Sequence, residues 1–382
     1  MQRSKFMKKT AIIAEYNPFH NGHLYQAKTA RIETDADAMI AIMSAQFTQR
    51  GEPAAFDKWS RAAAAVKTGA IDLVIELPTC YGVQRADRFA SAAVAIAEQI
   101  GCQTLSFGSE SGDADAVLRA AHAGIEATPA YHDALQHALK AGKSSAKASS
   151  EAFAALYPTF DLTLPNNILA YHYAKAARTI SLHTVKRLGA GYHDTGVSDV
   201  MSATGVRAHY LETGSVRAVP EATRALFQQT SMAHWSLYWP VLQFKLRTIP
   251  KSELEQLVGI DASLSPRLIE AGLAPTFEQA MGGLLTRRYT RTAIQRALVS
   301  VLIHWKRDEL PERFDEVPYV RPLAFNAIGR SVLKDIKKTV PLVSKYQSDL
   351  AFEARVTEAY RLPLGNRSLL EHMQTPQFID SK

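Results

Sequence analysis

The sequence predicts an α/β fold on a parallel sheet, followed by a mainly α-helical C-terminal region. Three observations carry this reading. Short apolar runs of strand length alternate with helical periodicity through the first half of the chain. Gly, Pro, Asn and Asp punctuate the joins. Beyond about residue 220 the alternation stops and helical spacing prevails.

The first strand is the apolar run 10–14, stopped by the turn dipeptides Asn17-Pro18 and Asn21-Gly22. Leu24, Ala27, Lys28 and Ala30 continue at helical spacing, so a helix follows at once. Residues 38–43 form a second strand, ending in a polar loop with Gly51 and Pro53. Asp57 is an N-cap residue type for a helix through Lys67, and Gly69 ends it. A third strand, 71–77, is closed by Pro78; an Ala-rich helix over 87–100 stops at Gly101. Residues 104–107 are the fourth strand, leading through 108–112 into a helix over 113–123. The segment 129–155 reads as helices without a catalytic signature, an insertion or a lid. Pro165 opens a helix to about Arg178, and 183–188 is the fifth strand, followed by a loop at 189–194. Later helices are expected over 237–246, 252–258, 276–285 and 290–305. The domain boundary therefore falls near 213–220, dividing the chain into 1–215 and 216–382.

The 382 residues, 47% hydrophobic and 21% charged, can bury a full core and describe an ordinary soluble protein. A formal net charge of +7 favours a polyanionic partner. The two cysteines, Cys80 and Cys102, make no disulfide framework or thiolate metal site and fit a reducing cytoplasm. No apolar run has the length of a membrane span, and the run after Lys8-Lys9 is too short for a signal sequence. Residues 1–9 read as a loosely ordered start.

The chemistry concentrates after the first strand. His20 and His23 flank Gly22 in the loop and first turn of a helix, where backbone N–H groups and the macrodipole favour an anion. Gly22 lets a ligand approach the main chain, and two imidazoles add donors to phosphate oxygens. No metal site is expected, because the spacing lacks the HExxH glutamate and no Cys lies nearby. A second phosphate-type element is Ser202, Thr204 and Arg207, with Ser202 or Thr204 as a helix cap. Arg187 is either a surface strand charge or a triphosphate clamp, and Asn166, from the residues alone, is a helix cap.

Within 279–307 the charges are Arg287, Arg288, Arg291, Arg296, Lys306 and Arg307, with no Asp or Glu. Such a one-sign stretch is a nucleic-acid footprint, or a helix face neutralised by acids from elsewhere; Tyr289 among the arginines is a stacking candidate. Arg330, Lys334, Lys337 and Lys338 make a second basic segment within 321–338.

The motif His20-Asn21-Gly22-His23 matches the HxGH signature of the nucleotidyltransferase superfamily, and the longer string from Glu15 to Tyr25 resembles the bacterial tRNA(Met) cytidine acetate ligase family. The resemblance runs over nearly the whole chain. It includes residues 49–53 with Asp57-Lys58-Trp59, 72–78, 107–110, Pro165-Asn166, Lys186-Arg187, 189–193, 202–204 and 288–291. It implies a Rossmann-like nucleotidyltransferase domain of HIGH type. It also implies ATP-dependent activation of acetate as acetyl-adenylate, with Mg²⁺ travelling with the nucleotide, then transfer to N4 of the wobble cytidine, position 34, of elongator tRNA(Met). AMP and pyrophosphate are released.

By the same resemblance ATP is held by Ile13, Ala14, Glu15, Tyr16, Asn17, Pro18, Phe19, His20, Asn21, Gly22, His23, Leu24, Tyr25 and Gln26, and by Gly108, Asn166, Arg187 and Leu188. The tRNA falls to Arg287, Arg288, Tyr289, Arg291 and Arg296 in the C-terminal domain. Departures are Ala45-Gln46-Phe47 in place of Gly-Asn-Phe, 285–287 in place of a lysine-rich run, and Ala293 where an arginine is common. Two other readings stay open on the residues: a small-molecule nucleotidyltransferase or carboxylate-amine ligase, and a non-catalytic RNA-binding protein. Oligomeric state is not readable from the sequence.

Overall fold

The computed structural model describes residues 7–110, 112–187 and 200–380. The expectations for residues 1–6, Leu188 and the loop 189–194 fall outside the described residues. The architecture is a seven-stranded sheet with helices on both faces. Its strands are β1 (Lys9–Ala14), β2 (Ala38–Ser44), β3 (Leu73–Leu77), β4 (Thr104–Ser109), β5 (Ser181–Lys186), β6 (Pro322–Phe325) and β7 (Gln377–Phe378). The order is β5-β4-β1-β2-β3-β6-β7. The first five are parallel, with Thr10 opposite both Met39 and Thr104.

From β1 the chain winds to β2 and β3 on one side, then crosses to β4 and β5 on the other. The sheet's topological switch point therefore lies between β1 and β4, where ligands of open α/β sheets bind beyond the carboxyl ends of the strands.

The helices of the first half are α1 (Asn21–Glu33), α2 (Lys58–Lys67), α3 (Thr79–Gly82), α4 (Ala86–Gln99), α5 (Ala114–His122), α6 (Pro129–Lys140), α7 (Ser145–Leu156), α8 (Pro165–Ala176) and α9 (Ala203–Thr213). Every residue of β2 is buried, as a strand covered on both faces must be. Its side chains divide by parity. Met39, Ala41 and Met43 join a core with Trp59, Val66, Leu242 and Leu298, while Ile40 and Ile42 join one with Phe89, Val94 and Tyr171. Asp57 caps α2 as expected, accepting from Trp59 N and Ser60 N.

The second half is mainly helical: α10 (Glu221–Gln229), α11 (Trp235–Thr248), α12 (Lys251–Leu254), α13 (Ser265–Ala271), α14 (Phe277–Leu284), α15 (Arg291–Ile303), α16 (Ala327–Ile336) and α17 (Ala351–Arg361). It also returns to the sheet, which sequence periodicity does not show. β6 runs antiparallel to β3 and β7 parallel to β6, both too short to carry a readable alternation.

A buried ion cluster ties the halves together. Lys58 Nζ on α2 lies 2.6 Å from Glu76 Oε1 on β3 and 2.7 Å from Glu371 Oε1. Arg321 pairs with the same two carboxylates. Glu353 on α17 accepts from Thr79 N and Oγ1 at 2.6 and 2.9 Å, and Thr357 Oγ1 donates to Glu371. All five charged side chains are at most 2% exposed. Two cations stand among three carboxylates, and burial together with Glu76 pushes the Glu353 carboxyl well above the usual range. Arg321, at the head of the second basic segment, is thus an internal residue; Arg330, Lys334, Lys337 and Lys338 are exposed.

Candidate functional site

The loop after β1 and the start of α1 make one wall of a cavity of about 440 Å³ at the switch point. That volume lies within the usual range of small-ligand pockets. His20 is the N-cap of α1, its Nδ1 accepting from Gly22 N at 3.0 Å. His23 Nδ1 accepts from His20 N at 3.3 Å, which closes a reciprocal box at the helix start. With both Nδ1 atoms acting as acceptors, each neutral ring carries its proton on Nε2 and has one donor left for a ligand.

The rings stack at 3.8 Å, and the edge of Tyr16 packs on His23. Burial, with Arg187 nearby, lowers the His20 pKa to about 4; burial, His20 and Arg187 hold that of His23 well below the ordinary imidazole value. Both imidazoles are neutral at pH 7 and gain their positive charge only when an anion offsets these costs.

Gly22 has a local reason that the sequence does not disclose. A Cβ there would stand 2.8 Å from Cε1 of His20, so the missing side chain makes room for the capping ring. Tyr16, at φ 45°, is a non-glycine residue in the left-handed region at the turn that carries the chain into this loop.

The opposite wall comes from β4, β5 and α8. Gly108 faces Arg187, whose Cγ would lie 3.3 Å from a Cβ. Asn166 is not a cap: Leu164 is the N-cap of α8, and no side chain caps that helix. Instead Asn166 Nδ2 donates to Glu110 Oε1 at 2.6 Å, and its Oδ1 accepts from Arg187 at 3.3 Å. Arg187 is exposed and lines the cavity together with the histidines, near enough for its charge to act on both rings. Leu188 falls outside the described residues.

The third wall is α9. Ser202, rather than Thr204, caps it, accepting from Gly205 N at 3.1 Å; both residues line the cavity. Arg207 is engaged with protein, donating to the Asn17 carbonyl at 2.7 Å and pairing with Glu52 at 2.8 Å. It braces the β1 loop against the loop after β2. Ile13, Ala14, Glu15, Tyr16, Asn17 and Gln26 line the same space. Pro18, Phe19, Asn21, Gly22, Leu24 and Tyr25 do not line it; Phe19 is buried against Tyr16 and His23.

Three residues to which sequence reasoning gives no role, Gln49, Arg50 and Glu52, also line the cavity. Their string is legible, but a polar Gly-Pro loop gives no sign of which wall it joins. A larger recess of about 700 Å³ lies elsewhere, around Glu98, Arg178 and Arg313. Its charges satisfy one another: Asp315 binds Arg178 and Arg313, and Glu98 accepts three backbone N–H groups. Among the described residues no group of three His, Cys, Asp or Glu converges as metal ligands would.

The basic stretch is partly neutralised in space by acids that precede it in the sequence. Arg288 pairs with Asp261 at 3.1 Å and Arg291 with Glu278 at 2.8 Å. Tyr289 donates to Asp261 at 2.7 Å and stands under the Arg288 guanidinium. Arg287 is exposed. Arg296 is half-buried and donates to the Gln49 carbonyl at 3.3 Å, where Gly51 passes so close to α15 that a Cβ would overlap the Arg296 backbone nitrogen. It links the basic region to the cavity's loop.

Residues 7–374 match the model of the HIGH Nucleotidyl Transferase family. The chain is 71% identical over 376 residues to a tRNA(Met) cytidine acetate ligase of Exiguobacterium sp., covering 98% of this chain and 100% of that protein. The chain belongs to the tRNA(Met) cytidine acetate ligase family. The Bacillus subtilis tRNA(Met) cytidine acetate ligase is 35% identical over 386 residues, 94% of this chain and 93% of its own. A crystal structure of Thermotoga maritima TmcAL bound with alpha-thio ATP superposes with TM-score 0.87 at 26% identity, over 98% of this chain and 100% of that one. That protein thus shares this fold over its length, the α/β sheet and the helical second half included.

Proposed function

We propose that this protein is an ATP-dependent ligase that activates acetate as acetyl-adenylate and acetylates N4 of the wobble cytidine of elongator tRNA(Met), with ATP in the switch-point cavity. The observation that carries this is the pair of neutral, Nε2-protonated histidines at the N-terminus of α1, facing Arg187 across the cavity, in a chain of this ligase family.

Carboxylates acylate amines poorly, and adenylation supplies AMP as a leaving group. Acetate oxygen attacks the α-phosphorus of ATP and pyrophosphate leaves. His20 and His23 Nε2–H, the N-termini of α1 and α9, and Arg187 are the donors that meet the charge developing on the phosphate oxygens. Mg²⁺ accompanies the nucleotide and shields its phosphates.

Asn166 holds Arg187 in place, and Arg207 fixes the two loops that shape the mouth. The helical second half, with Arg287, Arg288, Tyr289 and Arg291 on its surface, receives the tRNA, and Arg296 connects that surface to the mouth. A tRNA substrate places the working enzyme in the cytoplasm.

The test is mass spectrometry of nucleosides from elongator tRNA(Met) incubated with the protein, Mg·ATP and labelled acetate. Labelled N4-acetylcytidine is expected only when ATP and acetate are both present. Release of AMP and pyrophosphate with a labelled small-molecule product in place of acetylcytidine would contradict the RNA substrate.

A further inference from the structure

Among the groups lining the cavity, Glu15 has chemistry unsuited to a triphosphate. Its carboxylate would repel phosphate oxygens. It sits just beyond the end of β1 and lines the cavity together with Gln49, Arg50 and Glu52. Oε1 is fixed by the backbone N–H of Gln49 at 2.8 Å. Among the described residues its side chain makes no ion pair, whereas Glu52 is held by Arg207.

The amine of cytidine must lose a proton as it is acylated, and no other described group in the cavity is so placed to accept one. The histidines have their Nδ1 lone pairs in the helix cap, and Glu52 is bound to an arginine. We propose that Glu15 is a further catalytic residue: its carboxylate accepts a hydrogen bond from the cytidine exocyclic amine and takes the proton during acetyl transfer.

This rests on the reaction proposed above. The N4 lone pair attacks the acetyl carbonyl carbon, and the bond from that carbon to the phosphate oxygen breaks. AMP departs with the electron pair. One N4 proton passes to Glu15, which returns it to water. Carboxylates are the side chains that read the cytosine amine as a donor. Burial raises the Glu15 pKa, against the opposing pull of the Gln49 N–H and Arg50, and so makes the carboxylate a stronger base. The other groups near it are Glu52 and Arg207 from the flanking walls, Tyr173 from α8 and Arg61 from α2, whose guanidinium donates to the Glu15 carbonyl.

Glu15→Gln keeps the volume and the acceptor for Gln49 N–H. Two half-reactions are measured in the full-length protein: acetate-dependent ATP–pyrophosphate exchange, and single-turnover transfer from bound acetyl-adenylate to elongator tRNA(Met). The ratio of transfer to exchange should fall by about 10²–10⁴, the usual weight of a general base. Glu15→Asp should recover part of it. In the wild type, transfer should slow as pH drops through the Glu15 titration, and that limb should vanish in Glu15→Gln.

Equal losses in both half-reactions would assign Glu15 to nucleotide binding or folding and overturn the proposal, as would wild-type transfer by Glu15→Gln. A wild-type protein that exchanges pyrophosphate yet makes no acetylcytidine would overturn the substrate reading together with it.

Discussion

Two groups of charged side chains sit on this sheet, and they differ in what their charges face. Around Lys58 the charges face one another: each carboxylate of Glu76, Glu353 and Glu371 meets a cation or an N–H or O–H donor within 3 Å. Around His20 they face a cavity. The histidines hold their protons toward it, and Glu15, fixed by the Gln49 N–H, makes no ion pair among the described residues. The first group uses charge to fix β3, β6, α2 and α17 together. The second accepts the cost of desolvated, unpaired groups, which an incoming ligand can offset. The comparison teaches that satisfied charge marks structure here and unsatisfied charge marks chemistry.

Lys58→Met should break this distinction most strongly on the structural side. Removing the central cation leaves Arg321 as the single cation among three buried carboxylates, an effect of about 3–5 kcal/mol in comparable buried pairs. Denaturant unfolding should show the loss, with the surviving folded fraction still binding ATP. His23→Ala should have the opposite profile. Acetate-dependent pyrophosphate exchange is expected to fall by about 10²–10³, as when one transition-state donor is deleted. The melting temperature should stay near that of the wild type.

Acid and base separate the two regions as well. His20 has a folded-state pKa of about 4, below its ordinary 6.5, so the unfolded chain binds the extra proton between those values. Its contribution to stability is present above pH 6.5 and is lost as pH falls toward 4. Glu353 has the reverse sign. Its folded-state pKa is raised, so its contribution is present below the ordinary carboxylate range and is lost as pH rises through the raised value. Stability against pH for His20→Asn and Glu353→Gln, each compared with the wild type, should therefore show difference slopes of opposite sign.

The smallest stability effect belongs to the basic surface. Charge reversal at Arg288 and Arg291 removes two exposed pairs worth at most about 1 kcal/mol each. The tRNA affinity should nonetheless drop. Its salt dependence should flatten by roughly one unit of slope for each phosphate that these side chains no longer neutralise. Unchanged tRNA binding would assign these arginines to their local partners Asp261 and Glu278.

Much of this is legible in the sequence. The five parallel strands, the Asp57 cap and the His20–His23 helix start follow from periodicity and turn chemistry, which are local signals. What escapes is non-local. Lys58 and Glu76 stand in readable strings, yet Arg321, which shares their cluster, lies 245 positions beyond Glu76, with Glu353 and Glu371 further on. A charged residue in sequence reads as exposed. The acids that neutralise Arg288 and Arg291 are hidden in the same way. Asn166 reads as a cap because it follows Pro165 at a helix start; only the fold brings Glu110 and Arg187 beside it. Strands β6 and β7, of four and two residues, carry too little pattern to show that the second half completes the first half's sheet.

The most direct test of the contrast between satisfied and unsatisfied charge is NMR of the protein labelled at histidine ¹³Cε1, titrated with a non-hydrolysable ATP analogue. Of the 12 histidines, His20 and His23 should shift on binding, and their pKa values should rise toward the ordinary range as phosphate offsets burial. Saturable shifts at other histidines, with His20 and His23 unmoved and still titrating far below 6.5, would place the nucleotide elsewhere and contradict the account.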